Sequence, residues 1–506
     1  MGPSIVGGVA FVAYLRTLMP GIAFSDWGEM QTIPHVLGVA HPTGYPTYVI
    51  LAWLVELVPI GSVAFRANLL SAGLVAIALA TMTAIAMRLG ARPLVAVAGG
   101  LALGAVGTVW AAATVAEVNP LHLALVALLL HRALVWEERR RTADLVVGGL
   151  LVGLALGNHL LTLFVAPFVV AFVLWAGRRE FRSQPRLLLV AAGALVAGLS
   201  VYLYIPIAAS LGPPLPYNHP TTLEAFWFLV SGSQFRGQFD FLGSRGPGEF
   251  VAALPALWDL LADRATPALP IAGMIGLVVL ALRKPAFGLC MIAILLLGIY
   301  LWANYLRLEH YLLVPWLGLA LGVTVAVETL ISLVEWVVSR ARPLALGTRR
   351  GSTLRLVVGG VAVVAALALG LRNWTAADRS DDQSGEAYVA AVFGALPDNA
   401  AILSEWDVST PLWHGQHVRG ERPDVLIVDD TNIVYEGWET RENRIASVIC
   451  ERPVFILRPN ELDLVPTRVA YRLSPFLAVR VAIGGPSAVA DREVFLVEPR
   501  PGTCGP

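Results

Sequence analysis

The chain has 506 residues, of which 57% are hydrophobic and 14% are charged, and its formal net charge at pH 7 is zero. Soluble domains carry about 25% charged residues, so this composition predicts a multi-pass membrane protein. The neutral balance gives no reason to expect nucleic-acid binding. Three cysteines are too few for a disulfide-built scaffold, and no metal-type cysteine spacing occurs.

Apolar runs set the predicted membrane topology, since a helix needs about 20 apolar residues to cross a bilayer core of about 30 Å. The first run lacks a basic leader and a small-residue cleavage site, so we expect a retained helix rather than a signal peptide. The fifth and sixth runs are short, and we expect a hairpin that turns at Gly157-Asn158-His159. About eleven spans are predicted: 5–22, 63–87, 94–110, 118–135, 145–156, 160–175, 187–207, 268–282, 286–303, 311–327 and 356–371.

Arginines gather in every second loop, and all of those loops are short. The positive-inside rule places these loops and the N-terminus in the cytoplasm. The opposite face then receives the loops 24–62 and 212–266 and the segment 373–506. We therefore predict an all-α polytopic membrane domain, 1–372, followed by an extracytoplasmic α/β domain, 373–506.

The segment 373–506 carries strand signals in AAILSEWD, DVLIVDD, VFILRP and EVFLVEP, separated by helix-like or turn stretches. It has no glycine-rich phosphate loop, which argues against nucleotide binding. Cys450 and Cys504 both lie in it, and an oxidising compartment would permit a disulfide. The sequence leaves open whether they pair.

The first outer loop reads GIAFSDWGEMQTIPHVLGVAHPTGYPTY from Gly21. Asp26 and Glu29 are three apart and share a face of a helix that Ser25 can cap. The prolines and glycine of HPTGYP predict a rigid turn, and 47–58 predicts an amphipathic helix at the interface. With His35 and His41, four ionisable groups lie against an apolar surface. They could merely keep the loop hydrated. However, ionisable groups at the edge of a membrane cost free energy, so they are usually paired or have a function.

The D-x-x-E pattern followed by GVAHPTGYPTY resembles the lipid-linked-sugar glycosyltransferases of GT-C type. The nearest resemblance is to a membrane family with HPPGYP in its first outer loop, whose animal members are protein O-mannosyltransferases. Further matches are AEVNPLH from Ala116, GNHLLTL from Gly157, YIPIAAS from Tyr204 and RPDVLIVDD from Arg422. Thr43 replaces the usual second proline, and Asn119 stands where an aromatic residue is common.

The resemblance implies transfer of a sugar, mannose by analogy, from a polyprenyl-phosphate donor to a hydroxyl by an inverting single displacement. The base of the first outer loop then falls on Asp26, with Glu29 beside it. The acceptor could be a Ser or Thr of an exported protein or a glycolipid hydroxyl. Because arginine dominates over lysine, we expect a GC-rich bacterial genome, the inner membrane and an undecaprenyl lipid.

The chemistry agrees, since a carboxylate can take the acceptor's proton and a phosphate leaving group needs positive charge and donors. Arg307 is the best phosphate partner, with His159 and His310 behind it. Arg307 could instead extend to the lipid headgroups or pair with Glu309.

The other candidate side chains have supporting or substrate-binding roles. These are His41, Tyr45, Glu117, Asn158 and Arg236. Asp26 and Glu29 could bind a divalent cation with waters, but no compact third and fourth oxygen ligand is apparent. We therefore expect that no metal or other cofactor is required.

Two other function classes compete with a transferase. A transporter or flippase would place polar groups at the bilayer midplane and show internal repeats. No clear repeat occurs, and the spans are nearly free of charge, which argues against transport without excluding a lipid flippase. A binding module that is merely anchored would not need about eleven spans.

Overall fold

The computed structural model describes residues 1–235, 246–304, 307–341, 348–483, 488–501 and 504. Within these residues six helices are long and apolar enough to cross a membrane, or eight if each of two bent helix pairs counts as one span. Three shorter apolar helices, 46–56, 142–156 and 162–176, fall below that length. The multi-pass membrane character is confirmed, whereas the predicted number of eleven spans is not.

Nineteen α-helices form the membrane region in the described part of the chain. They are α1 (Gly2–Arg16), α2 (Ser25–Met30), α3 (Ile33–Val36), α4 (Pro46–Glu56), α5 (Val63–Arg88), α6 (Pro93–Ala105), α7 (Gly107–Ala113), α8 (Val118–Arg139), α9 (Thr142–Leu156), α10 (Thr162–Ala176), α11 (Arg178–Ser183), α12 (Arg186–Leu199), α13 (Tyr204–Ser210), α14 (Leu223–Val230), α15 (Gly246–Ala265), α16 (Ala268–Arg283), α17 (Pro285–Asn304), α18 (Leu313–Ala341) and α19 (Thr348–Ala377).

Small residues allow these helices to pack backbone against backbone. A Cβ added to Gly276 of α16 would lie 1.7 Å from the carbonyl oxygen of Gly322 on α18. In a membrane, apolar side chains contact lipid about as favourably as they contact another helix. Helix association therefore depends on such close packing. Replacing Gly276 by alanine would push α16 and α18 apart.

The predicted hairpin is present as a break between two short helices. α9 ends at Leu156 and α10 begins at Thr162. The first outer loop is tied to this break, since Thr47 donates from its amide to the Gly157 carbonyl (3.1 Å) and from its hydroxyl to the Leu154 carbonyl (2.7 Å). The break therefore helps to fix the position of the loop that carries the acidic residues.

The first outer loop forms α2, α3 and α4. The pattern predicted helices at the positions of α2 and α4, and α3 is an addition. Gly44 of the HPTGYP turn has φ +81°, and a Cβ there would lie 2.8 Å from Ile205, so glycine meets a conformational and a steric need. The prediction that Ser25 caps the first of these helices is wrong. Phe24 is the N-cap residue, without a side-chain capping bond, and Ser25 is the first helical residue with φ 60°.

The C-terminal domain contains α20 (Ser384–Ala395), α21 (Trp406–Trp413), α22 (Arg441–Ala446) and α23 (Val465–Ala470). Its sheet consists of β1 (Ala401–Ser404), β2 (Leu426–Asp429), β3 (Val454–Leu457), β4 (Arg472–Val481) and β5 (Ala490–Glu498), in the order β2-β1-β3-β5-β4. β1 is parallel to β2 and β3, and β5 is antiparallel to β3 and β4. The four expected strands are present, and β4 is an addition. Cys450 and Cys504 form a disulfide.

The C-terminal domain docks on the first outer loop through a shared apolar core. Ile22 and Phe24 are buried in the cluster that Tyr388 and Val392 of α20 help to form. Glu386 accepts a hydrogen bond from the Ile22 amide (2.6 Å), and Thr410 donates to the Ser25 carbonyl (2.9 Å). Burial of this apolar surface on both sides holds the two parts together.

Candidate active site

The two acidic residues of α2 have opposite environments. The Glu29 side chain is 1% exposed, whereas that of Asp26 is 52% exposed. A buried carboxylate needs partners, and an exposed one can meet a substrate. The geometry thus gives Glu29 a supporting position and Asp26 an accessible one.

Glu29 is bonded to His41, which the rigid HPTGYP turn brings beside it. One Glu29 oxygen accepts from the His41 amide (2.8 Å), and the other makes a short contact with His41 Nδ1. The Tyr45 hydroxyl donates to the Pro42 carbonyl (2.9 Å), so His41 Nε2 donates to the Tyr45 oxygen (3.0 Å). Both ring nitrogens of His41 therefore act as donors, which only the protonated ring can do.

The electrostatics of this pair agree with a firmly held proton. Burial lowers the pKa of His41, but the carboxylates of Glu29 and Asp26 outweigh it and raise that pKa to about 9. Burial raises the pKa of Glu29, an effect that the neighbouring His41 reduces. Both shifts keep a proton between Glu29 and His41 at neutral pH.

Asp26 is held by a residue of the C-terminal domain. The indole nitrogen of Trp406 donates to Asp26 Oδ1 at 2.8 Å, and the Trp406 ring meets the His41 ring edge-on with centroids 5.6 Å apart. The other Asp26 oxygen lies 3.9 Å from His41 Nε2. One oxygen is thus oriented by an indole donor, and the second faces the cationic imidazole.

Glu117 and Asn158 are buried, and both bond to the backbone of Val118 at the start of α8. Glu117 caps α8, accepting from the Val118 amide (2.9 Å), and it also accepts from the Trp27 indole (3.1 Å). Asn158 donates to the Val118 carbonyl (3.0 Å). Glu117 therefore positions α2 through Trp27 and not through Asp26.

Two candidate phosphate-binding residues, His159 and His310, are connected to Tyr45 by a series of ring contacts. The His159 ring is 5.9 Å from that of Tyr45 and 5.8 Å from that of Tyr311, which in turn stacks edge-on with His310 at 5.0 Å. Burial and the nearby His122 lower the pKa of His159, so its ring is neutral at pH 7. Its Nδ1 accepts from the Leu161 amide (3.1 Å), which leaves Nε2 as a donor.

Arg307 is exposed, and its guanidinium lies over the Trp302 ring at 5.9 Å. Glu309, its alternative partner from the sequence, is instead bonded to Arg264 at 2.7 and 3.0 Å. Among the residues that the structure describes, Arg307 forms no ion pair. Its charge is therefore available to an anion.

His35 is placed apart from the acidic pair, and one candidate is not described by the structure. His35 lies 3.5 Å from Glu56 and does not join Asp26 and Glu29. Arg236 lies outside the described residues.

Sequence reasoning did not single out Trp406, Tyr311 or His122. Trp406 lies in the quoted stretch AAILSEWD, but nothing local indicates that it reaches a residue 380 positions away. Tyr311 begins a predicted apolar span, and His122 ends the quoted match AEVNPLH, but neither was assigned a role. His122 is buried, its ring is 5.8 Å from that of His159, and its Nε2 has no partner in the described part of the chain.

A cavity of about 410 Å³ opens between the membrane region and the C-terminal domain. We call it the interdomain cavity. Its walls come from the first outer loop (Glu29, Val39), the segment 214–219, α21 and β2. Its size falls in the range of small-ligand sites, about 300–1,000 Å³. Trp406, which donates to Asp26, is one of the residues that line this space.

Comparisons with known proteins agree with this architecture. The family described as "Protein O-mannosyl-transferase TMEM260 N-terminal domain" matches residues 26–183. The mouse (Mus musculus) protein O-mannosyl-transferase TMEM260 is 33% identical over 227 residues, which are 43% of this chain and 31% of the mouse protein. The match thus spans less than a third of that relative's length.

Two solved structures share the fold over most of the chain. ArnT from Cupriavidus metallidurans, bound to undecaprenyl phosphate, has a TM-score of 0.60 and 15% identity, with 99% of this chain and 98% of that one covered. AglB from Archaeoglobus fulgidus, in complex with an inhibitory peptide and a dolichol-phosphate, has a TM-score of 0.53 and 11% identity, with 91% and 69% covered. The resemblance inferred from the sequence is confirmed: residues 26–183 match an O-mannosyl-transferase family, and the chain shares the fold of ArnT and AglB.

Proposed function

We propose that the chain transfers a sugar, mannose by the family match, from a polyprenyl-phosphate donor to a hydroxyl of an exported acceptor. The observation that carries the proposal is Asp26: an exposed carboxylate that is oriented by Trp406 and lies beside the Glu29–His41 pair. Trp406 and Glu29 both line the interdomain cavity. The match to an O-mannosyl-transferase family over this same loop supports it.

The reaction is a single inverting displacement. The acceptor oxygen attacks the anomeric carbon from the face opposite the phosphate, and Asp26 takes the hydroxyl proton as the new bond forms. The bond between that carbon and the phosphate oxygen breaks, and the polyprenyl phosphate leaves with the electron pair. The cationic His41 lies 3.9 Å from the second Asp26 oxygen.

The donor phosphate binds on the Tyr45 side of Asp26. Arg307 supplies a full positive charge, and the neutral His159 supplies an Nε2–H donor. His310 lies next to Tyr311 on the same side. Charge-assisted bonds from a guanidinium suit a phosphate better than neutral donors alone. The lipid tail then lies along the apolar helices.

No metal is needed for this reaction. The ligand atoms of Asp26, Glu29 and His41 lie within 4.8 Å of one another and could hold a cation. However, both Glu29 oxygens and both His41 nitrogens already bond to protein groups, and the imidazolium supplies a positive charge at the same point. A monophosphate leaving group does not demand a further cation.

We also propose the orientation that the arginine pattern predicts, with the N-terminus in the cytoplasm and the site on the outer face of a bacterial inner membrane. A cysteine placed at Ser380 near the domain junction would then react with an impermeant thiol reagent in intact cells.

The function is tested with proteoliposomes that contain the full chain and undecaprenyl-phosphate mannose with a radioactive sugar. Exported proteins or extracted glycolipids serve as acceptors, and the product's anomeric configuration is determined. We expect transfer with inversion. Transfer with retention would contradict the single displacement, and flipping of the donor without transfer would favour a flippase.

A further inference from the structure

β2 is an edge strand of the C-terminal sheet, and its outer side carries unpaired backbone groups. The Leu426 amide donates to the Ala400 carbonyl, and the Asp430 amide to the Ser404 carbonyl, both at 2.9 Å. Backbone groups alternate along a strand, so Ile427 and Asp429 direct theirs away from β1.

The open stretch of this edge is short and well defined. The Val425 carbonyl, which precedes it, accepts from Gln416 (2.7 Å), and the Asp429 carbonyl receives a long bond from the Asn432 amide (3.4 Å). Among the described residues, none bonds to the Ile427 amide and carbonyl or to the Asp429 amide. Ile427 is partly exposed, and Asp429 is buried. An unpaired strand edge is a template for another strand.

This edge lines the interdomain cavity. Pro216 and Tyr217 of the long outer loop also line the cavity, as do Trp406 and Glu29. The cavity therefore combines the unpaired backbone groups of β2 with aromatic surface. Extended peptides bind in this way, with main-chain bonds for affinity and side-chain contacts for specificity.

Trp406 connects the end of β2 to the proposed base. Thr431, two residues after Asp429, accepts a hydrogen bond from the Trp406 amide (3.1 Å), and the Trp406 indole donates to Asp26 (2.8 Å). A strand that pairs with Ile427 and Asp429 would therefore end close to the residue that orients Asp26.

We propose that the acceptor is an extended peptide that adds to β2 as a sixth strand and presents a Ser or Thr hydroxyl to Asp26. The proposal rests on the proposed transfer function and narrows its acceptor from two classes to one. A glycolipid headgroup lacks the regular alternation of amides and carbonyls that Ile427 and Asp429 would match. A peptide carries that alternation in every extended conformation.

The first test uses the wild-type full chain in proteoliposomes. A library of peptides with one central Thr and varied flanks is offered with undecaprenyl-phosphate mannose, and the best acceptor is identified by mass spectrometry. Single N-methyl groups are then moved along that peptide. We expect kcat/KM to fall about five- to tenfold at alternate positions on one side of the Thr and much less at the positions between them.

A matched pair of variants tests the protein side. Ile427→Pro removes the outward N–H and no bond to β1, a substitution that edge strands tolerate. Ile427→Ala shortens the same side chain and keeps the N–H. We expect Ile427→Pro to raise the KM for the peptide about five- to tenfold above that of Ile427→Ala, with the two proteins equal in thermal unfolding.

The outcomes separate the inference from the function on which it rests. Alternating N-methyl sensitivity supports strand addition, and it does so even if Ile427→Pro fails to fold. A uniform N-methyl profile overturns it, as does transfer to a glycolipid hydroxyl with none to any peptide, while the transferase function stands. Absence of transfer to every acceptor overturns both.

Discussion

Replacing Trp406 by phenylalanine removes one hydrogen bond from the proposed base and little else. The phenyl ring keeps the apolar contacts with His41 and Tyr217, whose rings lie 5.6 and 5.7 Å from that of Trp406, but it has no donor for Asp26. A hydrogen bond to a charged group contributes about 1.5–3 kcal/mol when buried. Since the Asp26 side chain is 52% exposed, water compensates part of this loss.

We therefore expect a cost of about 1 kcal/mol in the transition state, which is about a fivefold loss of kcat/KM. The loss falls on kcat, because Trp406 does not contact the region that binds the donor phosphate, and the KM for the donor stays within twofold of wild type. Transfer is measured in proteoliposomes over a range of donor concentrations.

Trp438→Phe is the matched control, since this tryptophan lies in the same domain, packs partly buried under Arg444 and is not part of the site. It should keep wild-type kinetics. Wild-type kcat in Trp406→Phe, with folding intact, would refute the idea that the C-terminal domain orients the base.

Three further predictions address the charge, the metal and the disulfide. The pKa of His41 is raised to about 9, so the Glu29–His41 pair stabilises the fold fully below about pH 6.5 and loses this contribution as the pH rises through about 9; thermal unfolding should show this decline in wild type and not in His41→Gln. Transfer should persist after dialysis against EDTA, and activity that disappears and returns with Mg²⁺ or Mn²⁺ would contradict a metal-free reaction. The Cys450–Cys504 bond closes a loop with a sequence separation of 54. Reduction should therefore lower the C-terminal domain's free energy of unfolding by about 4 kcal/mol, measured by denaturant titration of the full chain. An unchanged midpoint would contradict this.

The first outer loop could be read from the sequence because its determinants are local. The three-residue spacing of Asp26 and Glu29 and the stiff HPTGYP turn are enough to bring His41 and Tyr45 beside α2. Four of the five described strands of the C-terminal domain were predictable for the same reason, and β4 was missed. Ser25 was assigned the wrong position at its helix because caps depend on backbone angles that the residue type alone does not set.

Long-range contacts could not be predicted from the sequence pattern. Trp406 meets Asp26 only because the C-terminal domain docks on Ile22 and Phe24, and no periodicity encodes that docking. Arg264 pairs with Glu309, 45 residues further along the chain, so Glu309 is not the partner of Arg307 that the sequence offered as an alternative. Apolar runs likewise predicted where helices lie better than how many of them cross the membrane.

Asp26→Asn tests the central claim most directly. Asparagine keeps the size and accepts the Trp406 bond but cannot take a proton, so transfer from labelled undecaprenyl-phosphate mannose should fall at least about a hundredfold. The exposed surface residue Asp491, changed to asparagine as the control, should leave transfer unchanged. The account predicts loss of transfer with donor binding and folding intact; transfer at the wild-type rate by Asp26→Asn would contradict it.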